Sequence, residues 1–176
     1  MKYKYFHDKR DANSFGSQVG KFTDDEEGSG IIQRRTLDDY IENTHWHINS
    51  YLRRKDWKGS NMEHEVIALD SLMETNIVPE NIVVYRGVDM DFAKTLKPGR
   101  VFVDKGFVST SLREETILNA SFDSILTIRV PKGTLAFYVG PRSGNHPNEY
   151  ELLLARGLTY KVLKNDGYDI ILTVVR

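Results

Sequence analysis

The apolar pattern changes its period at Asn81, and that change limits the fold more than any other feature of the chain. Before it, apolar residues recur every three or four positions: Leu37, Tyr40, Ile41, Ile48, Tyr51 and Leu52, then Met62, Val66, Leu69, Leu72 and Met73. That is the stripe of an amphipathic helix. After it come short runs rich in β-branched and aromatic residues: "IVVYR", "GFVSTS", "SILTIRV", "LAFYVG", "ELLLA", "LTYKVL" and "YDIILTVV". Gly or Pro separates most of them, as between strands. Helices followed by strands predict an α+β fold rather than alternating βαβ units. Seven strands crowd a short open sheet, so the expected arrangement is helices packed on a core of two β-sheets.

Local signals set the boundaries. Thr36, with Asp39 three residues on, reads as the N-cap of the first helix, which should end near Arg54. Ser60 and Glu63 repeat the spacing for the second helix, and Pro79 lies beyond its end. "LREETILNA" reads as a short helix after Ser111. Residues 1–30 are weakly patterned and hold an acidic run at 24–27 followed by "GSG"; the expectation is a flexible arm, with a short strand allowed in "KYKYF".

With 176 residues, one domain with a sizeable core is expected. A net charge of -1 offers no footprint for a nucleic-acid backbone, so nucleic acid is an unlikely partner. The absence of cysteine removes thiol nucleophiles and Cys-based zinc sites. The start of the chain lacks the apolar stretch of a signal peptide, and no apolar run approaches the roughly 20 residues of a membrane span. These features fit a protein working in a cytoplasm. "HWH" (His45, Trp46, His47) places its histidines on different faces of a helix. "HEVIA" has Ala68 where a zinc-protease helix needs its second histidine. No metal is expected.

Three strand-borne elements remain: "VVYRG" with Arg86, "FVSTS" with Ser109, Thr110 and Ser111, and "NEYE" with Glu149 and Glu151. Alternate strand residues share a face, so the two glutamates should enter one cleft while Tyr150 faces away. Arginine offers a fixed fork for phosphate, and hydroxyls can orient a carboxylate. This inventory suits cleavage of a glycosidic bond through an oxocarbenium-like state, with a phosphate-bearing sugar.

The order Arg, Ser-Thr-Ser, Glu-x-Glu resembles the arginine-specific mono-ADP-ribosyltransferases of the clostridial binary-toxin and bacteriophage type. The similarity runs from about Leu37 to the C-terminus and includes "YIENTHWHINSYLR". The resemblance implies an ADP-ribosyltransferase catalytic domain over 1–176, with NAD as substrate and an arginine of a target protein as acceptor. It implies that Arg86 binds the NAD diphosphate and that Ser109 holds the catalytic Glu151, which stabilises the oxocarbenium. Glu149 would serve the acceptor. Tyr40, Asn49 and Arg53 would contact NAD from the helix, Phe122 would pack near nicotinamide, and the Gly87 backbone would meet its amide. Thr110 and Ser111 complete the expected NAD site. The turn-rich loop before Glu149, including His146, would meet the protein substrate in the cytoplasm of a host or target cell. An NAD glycohydrolase, an inactive binding domain of the same fold and transfer to another acceptor are the alternatives.

Overall fold

A computed structural model describes residues 2–23, 28–54, 62–140 and 148–175. Eight strands form one hydrogen-bonded order, β2-β7-β8-β4-β1-β3-β6-β5. They are β1 (Ile82–Val88), β2 (Val101–Val103), β3 (Val108–Ser111), β4 (Ser124–Val130), β5 (Ala136–Tyr138), β6 (Glu151–Leu154), β7 (Thr159–Asn165) and β8 (Asp169–Val175). β4 and β8 are parallel; the other neighbours are antiparallel.

The sheet has two wings with a narrow neck. β1 pairs with β4 from Ile82↔Val130 to Val88↔Ser124 without a break. On its other edge it meets β3 at the single pair Tyr85↔Ser111. Val84, Leu126, Ile128 and Leu172 of one wing bury against the same apolar cluster as Val108, Leu152, Leu154 and Ala136 of the other. The α+β class and the layered core therefore stand, but the two expected sheets are wings of one. The additional strand is β2, whose three residues lie between "PGR" and "DKG" and are too few to register as a period.

The helices are α1 (Lys9–Gly16), α2 (Ser29–Asp39), α3 (His45–Arg54), α4 (Met62–Glu74), α5 (Met90–Thr95) and α6 (Glu114–Leu118). A π-helical turn, Tyr40–Thr44, joins α2 to α3. The stripe Met62, Val66, Leu69, Leu72 and Met73 is buried as its spacing predicts. With Leu37, Tyr40 and Ile48 it packs on Phe107, Phe137 and Leu153, the outer face of the smaller wing.

Two boundaries differ from expectation. Thr36 is inside α2, which begins about two turns earlier after the left-handed Gly28; its capping spacing is coincidental. The N-terminal stretch, expected as a flexible arm, instead carries α1. Asp8 caps that helix by accepting from Arg10 N–H, and Ala12 and Phe15 are buried with Phe6 and Val19 in the inter-wing cluster. Four apolar residues spread through a polar segment make too sparse a stripe to read. The acidic run 24–27, the cap at Ser60 and the loop 141–147 with His146 lie outside the described residues. No helix among the described residues is long and apolar enough to cross a membrane.

Candidate functional site

The site opens where the sheet stops pairing. After Tyr85↔Ser111 a continued antiparallel ladder would set Arg86 opposite Thr110 and Gly87 opposite Ser109, but β1 and β3 splay instead. A buried strand edge that loses its ladder must find other partners. Here Arg86 Nη1 donates to the Ser109 carbonyl at 2.7 Å. The opening is a cleft of about 350 Å³ lined by Arg86, Gly87, Ser109, Ser111, Glu149 and Glu151, with His45, Ile117 and Phe122 at its sides.

β6 forms the floor. Glu151 sits opposite Ser111 and one residue pair from Thr110↔Leu152. It is only 8% exposed, and the Ser109 hydroxyl donates to its carboxylate. Glu149 reaches the same cleft by another route. The strand begins at Glu151, and Tyr150 has a left-handed backbone with φ 49°, the single non-glycine case among the described residues. Glu149 is therefore in a turn rather than on the strand, and the expectation of two carboxylates set by strand alternation is corrected. The turn is tied down on both sides: Ser111 Oγ donates to the Glu149 carbonyl at 2.7 Å, and Leu112 N–H to the Tyr150 carbonyl at 3.0 Å. The Thr110 hydroxyl is buried and donates to the Leu152 carbonyl at 2.6 Å. Thr110 and Ser111 line the cleft, but their hydroxyls are committed to holding the backbone of the Glu149–Leu152 segment.

The helical side of the site hangs on Asn49. Its Nδ2 donates to the Tyr40 hydroxyl at 2.8 Å, and its Oδ1 accepts from the Phe107 N–H at 2.9 Å, two residues before Ser109. Gly106 allows this approach, since a Cβ there would lie 2.7 Å from Asn49 Oδ1. Tyr40 and Asn49, expected to touch NAD, are not among the residues that line the cleft, and their bonds tie α3 to the chain entering β3. Arg53, from the same helix, does line a cleft, with its guanidinium held on Asp104 by bonds of 2.9 and 3.0 Å.

His45 was missed in sequence. In the π turn its N–H bonds to the Tyr40 carbonyl, five residues back. Five residues of α-helix would place the two side chains on different faces, whereas the wider π turn brings them nearly into line. The Tyr40 and His45 rings meet edge to face at 6.3 Å, and His45 lines the same cleft as the glutamates. Nothing in the periodicity announces the inserted residue.

A second cleft of about 680 Å³ adjoins the first and shares Arg86, Gly87 and Phe122 with it; Arg53, Arg54, Asp89, Phe92, Asp104 and Asp123 also line it. Phe122 marks the boundary. It is 46% exposed, its ring lies on Gly87 where any Cβ would collide with it, and its neighbour Asp123 accepts from the Met90 N–H at 3.0 Å. Guanidinium groups line the larger cleft and the two glutamates line the smaller one, with Arg86 at the junction.

Burial pushes the Glu151 carboxyl above the ordinary glutamate range; the Ser109 bond opposes this, Glu149 nearby adds to it, and Arg86 opposes it. Burial, and then the like charge of Arg53, lowers the Arg86 pKa from its usual value. A partly desolvated cation and a partly desolvated carboxylate line one cleft. Such groups interact strongly with a charged ligand that excludes water.

Comparison with known proteins places this geometry. A mono-ADP-ribosyltransferase C3 from a Clostridium botulinum D phage is 31% identical over 141 residues, which is 65% of this chain and 55% of that protein. The chain thus spans little more than half the length of the curated relative it matches. Among solved structures, the C3 exoenzyme of Clostridium limosum superposes with a TM-score of 0.83 at 22% identity, covering 100% of this chain and 98% of that one. A C3 protein from S. aureus, solved with NAD, gives 0.78 at 20% identity over 99% of this chain and 98% of that one. At these identities the structures show a shared fold. The ADP-ribosyltransferase exoenzyme family matches residues 12–171, and the chain belongs to that family.

Proposed function

We propose that the protein is a mono-ADP-ribosyltransferase that cleaves NAD at the nicotinamide–ribose bond and transfers ADP-ribose to an arginine side chain of a target protein. The observation that carries this reading is the cleft itself: a buried Glu151 held by Ser109, with Glu149 at its rim and Arg86 at the junction with an arginine-lined second cleft. The family and the phage relative support ADP-ribose transfer.

NAD spans the two clefts, which together offer the room of an ordinary cofactor site. The diphosphate lies along Arg86 and Arg53, the nicotinamide end enters the smaller cleft beside Gly87, and Phe122 shifts to admit it. The C1′–N bond breaks with its electron pair going to nicotinamide, which leaves neutral. Positive charge grows on the ribose, and Glu151 holds its 2′-hydroxyl side through a contact that strengthens as charge develops. A guanidinium nitrogen forms the new C1′–N bond from the opposite face. It is protonated at neutral pH and a poor nucleophile, so Glu149 orients it and takes the released proton. The setting is the cytoplasm of a host or target cell.

The test incubates the protein with isotopically labelled NAD and a cell lysate, and maps the modified side chain by mass spectrometry. Label on arginine supports the proposal. Label on another side chain overturns the acceptor assignment, and nicotinamide release with no labelled protein leaves a glycohydrolase.

A further inference from the structure

The two glutamates are separated by a residue in a conformation that bulky side chains avoid. Tyr150 has φ 49°, where an L side chain crowds the following carbonyl. Left-handed positions are ordinarily given to Gly or Asn. Such an outlier persists when its surroundings over-determine it, and outliers of this kind concentrate at working sites.

The surroundings are in view. Tyr150 is 6% exposed and its ring joins the inter-wing cluster. The Arg113 guanidinium lies over that ring, 5.3 Å from its centre, and Arg113 is held by Glu115. Three consecutive carbonyls are bound: Glu149 by Ser111 Oγ, Tyr150 by Leu112 N–H, and Glu151 by Val139 N–H at 3.0 Å. The ring is thus a plug and the carbonyls are clamps, and between them the backbone has one path. That path ends β6 directly before Glu151. An extended Tyr150 would instead carry the ladder on and stack Glu149 along the strand above Glu151. With the left-handed residue between them, Glu151 enters the cleft from the strand floor and Glu149 from the turn at its rim.

We propose that Tyr150 is a positioning residue, which uses its buried ring to hold a left-handed backbone and so aims Glu149 at the acceptor independently of Glu151. The inference rests on the reading of Glu149 as the acceptor-facing carboxylate. Its consequence is a division of labour. Disturbing the Tyr150 backbone uncouples transfer from NAD cleavage, because Glu151 is anchored separately by its pairing with β3 and by the Val139 N–H.

The test compares Tyr150→Gly with Tyr150→Ala. Both remove the ring and leave similar cavities, but glycine enters the left-handed region freely and alanine does not. Tyr150→Phe keeps ring and crowding alike. The readouts are nicotinamide release without acceptor and ADP-ribose transfer to agmatine, a small guanidine, in the full-length protein. We expect the parental ratio of transfer to hydrolysis for Tyr150→Phe and a ratio within about threefold of it for Tyr150→Gly. For Tyr150→Ala the ratio falls about tenfold, the penalty of a left-handed non-glycine residue read as a rate. Equal falls for Gly and Ala, or a parental ratio in Ala, overturn the proposal. A parent that releases nicotinamide but never labels agmatine overturns the acceptor reading instead. Crystal structures of the two variants then decide the role of Tyr150: Glu149 retained in the cleft in Gly and turned out of it in Ala supports it, and the same placement in both rejects it.

Discussion

β1 has two edges that behave oppositely. Toward β4 it is paired along its whole length, Ile82 to Val88. Toward β3 it is paired once, at Tyr85. The complete edge holds Val84 against Leu126, Ile128 and Leu172 in the core and carries no chemistry. The incomplete edge frees Arg86 and Gly87 to line both clefts. In this molecule stability comes from finished ladders and reactivity from an interrupted one, and the division can be tested by perturbing each side.

The largest effect is expected at the interrupted edge. Glu151→Gln keeps shape and hydrogen-bonding capacity but removes the charge that faces the developing cation. Loss of one such electrostatic contact costs roughly 10²–10³-fold in rate, and here both NAD hydrolysis and transfer should fall by that amount in nicotinamide-release and labelling assays. Glu149→Gln should separate the two, lowering guanidine transfer about 10²-fold, the scale of general-base assistance, while hydrolysis survives. Equal loss of both reactions would merge the roles assigned to the two glutamates.

On the finished edge the expectation reverses. Ile128, 1% exposed, lies on β4 opposite Val84. Ile128→Ala should cost about 2–5 kcal/mol in urea unfolding and leave the ratio of transfer to hydrolysis unchanged under conditions where the variant is folded. Asn49→Ala falls between the two classes. It strands the Tyr40 hydroxyl and the Phe107 N–H, a loss of about 1–3 kcal/mol, and it loosens the approach to Ser109. Both the unfolding midpoint and kcat should drop.

How much of this was readable follows the same line. The stripe of α4 and the strands of the larger wing repeat at a fixed period over many residues, so packing and pattern agree and the sequence shows them. Arg86, Ser109 and Glu151 were legible because each belongs to a short cluster of distinctive residue types on a strand. The features that shape the cleft are departures from period. The extra residue of the π turn brings His45 round over Tyr40, the left-handed Tyr150 moves Glu149 off the strand, and the single pair at Tyr85 opens the neck. Each is decided by tertiary contacts of one or two residues, and none leaves a repeat to detect. Tyr40 and Asn49 show a role that residue type alone does not announce: they bond to each other, and Asn49 also accepts from the Phe107 backbone.

The smallest expected effect asks whether the two glutamates sense each other. Burial and the nearby Glu149 raise the Glu151 carboxyl above its ordinary value, and catalysis needs the carboxylate. The acid limb of kcat/KM for NAD hydrolysis should therefore lie above the pH of an unperturbed glutamate, about 4.3. Glu149→Gln removes the like charge and should move that limb to lower pH, while burial keeps it from returning fully. Stability must follow with a fixed sign. A carboxyl whose pKa is raised on folding favours the fold fully below its unfolded value, and that contribution is lost as pH rises through the folded value. At neutral pH the ionised, buried Glu151 thus works against folding. Glu151→Gln should unfold at a higher temperature than the parent at pH 7, with the gap closing as the pH is lowered toward about 4. A gap that stays constant with pH would mean that Glu151 binds its proton equally in the folded and unfolded chain, and the raised carboxyl that sets the acid limb would have to be abandoned.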